Sequence, residues 1–96
     1  MMHDTGTSIE VSGAMTLPQA RDLLTTGNSL LKADTTLFDL SAVAAVDSSA
    51  LAVIFGWLRQ ANALNRQIRI SRPPQDLLSL AALYGVTELL PLDTQT

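Results

Sequence analysis

A chain of 96 residues makes one small domain, and an apolar content of 47% places it among globular rather than disordered sequences. Charged residues make up 16%, below the roughly 25% usual in soluble domains, and a net charge of −3 with a pI near 4.7 argues against a nucleic-acid binder. Cysteine is absent and His3 is the single histidine, so disulfides and thiolate zinc sites are excluded and a Ser-His-Asp triad or two-histidine metal site has almost no material.

Residues 1–7, His3 among them, read as a flexible N-terminal tail without the basic start and apolar core of a signal peptide. Residues 8–11 alternate polar and apolar, which predicts a short strand, and Gly13 marks a turn or bulge. Thr16-Leu17-Pro18-Gln19 has capping-box spacing, with Pro18 where a first helical turn tolerates it. A helix follows to about Lys32, with Ala20, Leu23, Leu24, Leu30 and Leu31 on its apolar face and Gly27 weakening its middle.

Residues 35–43 predict a second strand, dense enough in Leu37, Phe38 and Leu40 to be covered on both faces, with Asp39 placing one end or edge near solvent. The apolar run 40–58 has the length of a membrane span. Asp47 in its middle, flanked by Ser48 and Ser49, instead divides it into a strand end, a turn and a helix start.

That helix runs from about Ser48 to Asn65, with Leu51, Ile54, Phe55 and Leu58 as its core stripe. Val53, Trp57, Gln60 and Leu64 form a second stripe, which we read as a docking surface anchored by Trp57, because so small a fold has little with which to bury both. Ile68-Arg69-Ile70 is a third strand, stopped by Pro73 and Pro74. Leu77, Leu78, Ala81 and Leu83 line a third helix, closed by Gly85 at C′, with Tyr84 in the core. Residues 86–92 form a closing segment, read as a short strand, and 93–96 a C-terminal tail. Arg59, Arg66, Arg69 and Arg72 read as a solvated face.

Strand and helix alternate, so right-handed crossovers give a mainly parallel sheet of about four strands with three helices mostly on one face. Residues 8–92 are then one α/β domain. The Ser48 hydroxyl falls where a strand hands over to a helix. The amides there lack intrahelical acceptors and the dipole is positive, so the site suits a capping serine or a phosphate placed on it.

The pairing of Asp39-Leu40-Ser41 with Asp47-Ser48-Ser49-Ala50-Leu51, the opening strand with Gly13 and the ending Leu83-Tyr84-Gly85-Val86 resemble the STAS domain family over nearly the whole chain. In its anti-sigma-factor-antagonist branch, the position of Ser48 corresponds to the phosphoacceptor of a partner anti-sigma kinase. In the STAS subunits of Mla phospholipid-transport ABC complexes, it corresponds to a contact with the ATPase subunit. Ala50 and Ala52, where antagonists usually carry glycine, and Trp57-Leu58-Arg59 look more like the Mla branch.

The resemblance implies a non-catalytic interaction subunit that regulates the cytoplasmic ATPase of an ABC phospholipid transporter, peripheral to the inner membrane and without a cofactor. Its partner contacts are expected at Asp47, Ser48, Ser49, Ala50, Val53 and Trp57. An enzyme reading fails on inventory, with no histidine near the serines, no glycine-rich phosphate loop and no close Glu pair.

Overall fold

The computed structural model describes residues 1–93. Its elements are β1 (Met2–Asp4), β2 (Ile9–Met15), α1 (Leu17–Ser29), β3 (Thr35–Val46), α2 (Ser48–Ala63), β4 (Gln67–Ser71) and α3 (Gln75–Leu83), then a single 3-10 turn at Thr87–Leu89. The sheet order is β1-β2-β3-β4, with β1 antiparallel to β2 and the other pairs parallel. This is the expected α/β architecture. Parallel pairing puts the C-terminal ends of β2 and β3, and the helix N-termini that follow them, at one end of the molecule.

Ile9, Val11 and Met15 of β2, Phe38 and Leu40 of β3, and Ile68 and Ile70 of β4 are buried in the core with Leu23, Ile54, Trp57, Leu77 and Ala81 from the helices. Glu10, Gln67 and Arg69, at the intervening positions, are exposed. The three helices therefore cover one face of the sheet.

Several expectations are corrected here. Residues 2–4 are not tail: they pair with β2 from Met2↔Val11 to Asp4↔Ile9, and the terminal ammonium donates to the Ser12 carbonyl at 2.8 Å. Three residues are too few for an alternation to declare a strand. Gly13 does mark a bulge, at φ +81°, with a register shift at Gly13/Ala14, but β2 continues through it to Met15. The capping box does not form. Thr16 makes no side-chain cap, its hydroxyl donating to Gln19 instead, and α1 stops at Ser29 rather than Lys32. Residues 86–92 hold the 3-10 turn, and strand character is confined to a parallel bridge between Ile70 and Leu92. Leu83 and Tyr84 are exposed, not core. Of the predicted tail 93–96, all but Asp93 lies outside the described residues.

Helix ends follow known chemistry. After α3, Gly85 at φ +71° lets Val86 N–H donate to Ala81 O at 2.8 Å and Gly85 N–H to Ala82 O at 3.1 Å, a full Schellman closure. Asn65, at φ 57°, closes α2 in the same way through Arg66 N–H to Ala61 O at 2.8 Å.

Of the second stripe of α2, Val53 and Trp57 are buried, Trp57 under α1, whereas Gln60 and Leu64 are exposed. Trp57 is fully buried, stacked on Phe38 with ring centroids 4.1 Å apart and planes 7° from parallel, and its indole N–H donates to Leu23 O at 3.0 Å. Gly27 exists to admit that ring, because a Cβ at this position would lie 2.2 Å from Trp57 Nε1. Gly56 receives Leu24 reciprocally, where a Cβ would lie 2.5 Å from Leu24 Cδ1. Gly27→Ala should therefore destabilise by about 1–3 kcal/mol through overpacking, although alanine is the better helix former by about 1 kcal/mol. Urea unfolding checks the sign: a gain in stability would mean that the two helices are not in this contact.

Candidate functional site

The junction between β3 and α2 is organised by Asp47. As the N-cap of α2, its Oδ1 accepts from Ser49 N–H at 2.8 Å. Its Oδ2 accepts from Leu17 N–H, the first amide of α1, at 3.1 Å. One carboxylate thus serves two helix N-termini, and Asp47 N–H in turn donates to Met15 O at 3.4 Å. Burial pushes the Asp47 carboxyl up. The Ser49 and Leu17 amides together with the Ser49 hydroxyl outweigh it and hold the group below the ordinary carboxylate value.

With Asp47 as the cap, Ser48 is the first helical residue rather than the cap. Its side chain is exposed, and no described residue holds its hydroxyl. Ser49 is half-buried beside it. The exposed hydroxyl at a helix start is the part of the expected site that the structure places at the surface.

Ala50, Val53 and Trp57 are not at that surface. Their exposures are 0%, 3% and 0%, all buried by this same chain, so they cannot touch a partner directly. Trp57 is an internal bolt between α1, α2 and the sheet. Ala50 and Val53 belong to the same core.

A different set of residues forms a groove that begins at Val46, two residues before Ser48. Val46, at the end of β3, and Asp76, Ser79, Leu80 and Leu83 of α3 line an open groove of about 340 Å³. The four α3 positions are spaced i, i+3, i+4, i+7, so they form one face of that helix, and Leu83 is 77% exposed. Leu17, on the other side of Asp47, is 70% exposed. These residues were assigned to the core or to no role by their sequence pattern. The spacing was the available signal, since Leu77, Leu78 and Ala81 already supply a complete inner face for so short a helix. A larger hollow of about 430 Å³ lies between α1 and Met1-Met2, lined by Pro18 and Leu23 among others; Ser48 lines neither hollow.

Asp39 is buried rather than near solvent. Its carboxylate accepts from Ser41 N–H at 2.9 Å and from the Arg72 guanidinium. Burial raises its carboxyl, but the Ser41 amide and hydroxyl and the Arg72 cation outweigh that and leave it below the ordinary value. Arg66 donates to Leu31 O at 3.3 Å. Two of the four arginines read as a solvated face are thus tied to the chain. Among the described residues, no group of three or more His, Asp or Glu is placed to hold a metal ion, and no helix is long and apolar enough to cross a membrane.

Comparison with known proteins adds the following. The profile of the family described as "Mlab, STAS domain" matches residues 2–91. A curated relative, the intermembrane phospholipid transport system binding protein MlaB of Haemophilus influenzae, is 35% identical over 51 residues. The match covers 53% of this chain and 49% of that protein, so the chain spans about half the length of the relative it matches. Among solved structures, the anti-sigma factor antagonist SpoIIAA in its unphosphorylated form is similar at a TM-score of 0.71 and 12% identity, over 99% of this chain and 88% of that one. A putative anti-sigma factor antagonist from Thermotoga maritima is similar at a TM-score of 0.74 and 14% identity, over 99% and 86%. At such identities, these two likenesses establish the fold alone.

Proposed function

The chain belongs to the MlaB-type STAS domain family, and we propose that it is the non-catalytic STAS subunit of an ABC phospholipid transporter, binding and regulating the cytoplasmic ATPase at the inner membrane. The observation that carries this reading is the Ser48 hydroxyl, exposed and unheld, two residues along the chain from Val46, which lines an open groove with Leu80 and Leu83. Exposed leucine on so small a domain is surface left for another polypeptide. The phospholipid-transport name of the Haemophilus influenzae relative supports the choice of partner.

The mechanism follows from the geometry. Asp47 fixes the α1 and α2 starts relative to each other, so the surface around Ser48 is held rigid before a partner arrives. A rigid docking surface loses little freedom on binding. In this reading the hydrolytic groups are those of the ATPase. It acts by binding one arrangement of the ATPase more tightly than another, which shifts that equilibrium by the difference in affinity.

Co-purification with the ABC ATPase, followed by titration of its hydrolysis rate with the purified chain, tests the reading. We expect a stoichiometric complex and a changed rate. An ATPase that neither binds the chain nor changes its rate would overturn the proposal.

A second reading has one observation in its favour: an accessible serine on a fold shared with anti-sigma factor antagonists. In it, a partner anti-sigma kinase phosphorylates Ser48 and is released. Intact-mass measurement after incubation with the kinase and ATP separates the two, because only this reading expects a phosphate on Ser48.

A further inference from the structure

β3 outruns β4 at the Ser48 end of the molecule. The β3–β4 ladder runs from Thr35↔Gln67 to Asp39↔Ser71 and stops, whereas β2 stays paired with β3 as far as Met15↔Val46. The stop is well made, with the Asp39 carboxylate accepting both Ser41 N–H and Arg72. Beyond it, residues 42–46 carry a ladder on the β2 side only. They read Ala-Val-Ala-Ala-Val, with Ala42, Ala44 and Ala45 exposed and no charge or proline among them.

The two outermost strands of this sheet are guarded. β1 is three residues long and ends at Asp4, which is ion-paired to Lys32 at 2.5 Å. The outer edge of β4 is occupied, Ile70 N–H donating to Pro91 O and Asp93 N–H to Ile70 O, both at 2.8 Å. Proteins normally protect an edge with charge, proline or a covering segment. The free part of β3 has none of these devices except the bulge of one register shift, opposite Gly13/Ala14, which restricts an added strand to a short one.

We propose that residues 42–46 take a short extended segment of the ATPase by β-addition, with an apolar side chain seated on Val46, Leu80 and Leu83 and a basic residue against Asp76. This rests on the reading of the chain as an ATPase-binding subunit. Unpaired main-chain groups on a strand edge are matched by another extended backbone. The alanines leave no side chain to block its approach. The groove is acidic where it is charged, since Asp76 lines it, Asp47 follows Val46, and no lysine or arginine lines it. Asp76 is in no ion pair among the described residues. An incoming cation complements that rim.

Hydrogen–deuterium exchange on the full chain, free and bound to the ABC ATPase, tests this, with affinities measured for Ala44→Lys, Asp76→Asn and the control Arg69→Glu on the uncovered sheet face. We expect amides in 42–46 to exchange at least tenfold more slowly in the complex. Ala44→Lys should weaken binding at least tenfold and Asp76→Asn severalfold, with Arg69→Glu without effect. Unchanged exchange at 42–46 in a complex that still forms overturns the β-addition and leaves the subunit reading standing. Failure of the ATPase to bind at all overturns both.

Discussion

Replacing Trp57 with alanine is expected to lower stability by about 3–5 kcal/mol, the range for truncating a large aromatic in a core. The indole has no solvent exposure, stacks on Phe38 and donates to Leu23 O. Alanine removes all three contacts and leaves a cavity bounded by Gly27, which has no side chain to fill it. A small domain has about 5–15 kcal/mol of stability in total, so the variant should sit close to unfolding. Urea unfolding followed by circular dichroism reads the loss. Trp57→Phe should retain the stack, forfeit the indole hydrogen bond and fall between the two. A loss under about 1 kcal/mol for Trp57→Ala would mean that the ring is not a core element, and would reopen its role as a docking residue.

Ser48→Asp is expected to do the reverse, weakening ATPase binding at least tenfold, or about 1.4 kcal/mol, with little change in unfolding. An acidic residue in the first turn of α2 gains from the helix dipole, which offsets repulsion from Asp47 beside it. In the complex, that charge must be desolvated beside Asp47, with the incoming basic residue already engaged by Asp76. Ser48→Ala keeps the size and neutrality of the contact and should bind within severalfold of the natural chain. A phosphate on Ser48 would carry about −1.5 to −2 charges and act as aspartate does, more strongly. Equal affinity for the serine and aspartate forms would move the contact surface away from α2.

The contrast between these residues shows what was legible in the sequence. Helices and strands were readable because their apolar periods are regular, and the serine at the β3–α2 junction because Asp-Ser-Ser is a helix-start pattern. The exact cap was ambiguous, since all three residues can serve, and Asp47 won by reaching amides of two helices that are distant in sequence. Trp57 was misassigned because periodicity identifies an apolar stripe without saying what covers it. The clue lay in Gly27, which was read as a weak point in α1, and in Gly56, which was given no role. They mark the close approach of α1 to α2. Leu83 failed in the opposite sense: an apolar residue in a helical pattern was assigned inward, although α3 is only nine residues long and Leu77 and Ala81 fill its buried side. The open edge of β3 could not be foreseen, because it depends on where β4 stops.

A photoreactive residue introduced in place of Ser48, compared with one in place of Arg69 on the uncovered sheet face, tests the docking surface most directly. Illumination of each complex with the ABC ATPase should give a crosslinked pair from position 48 and none from position 69. Efficient crosslinking from 69 with none from 48 would contradict the account, placing the partner on the sheet rather than at the start of α2.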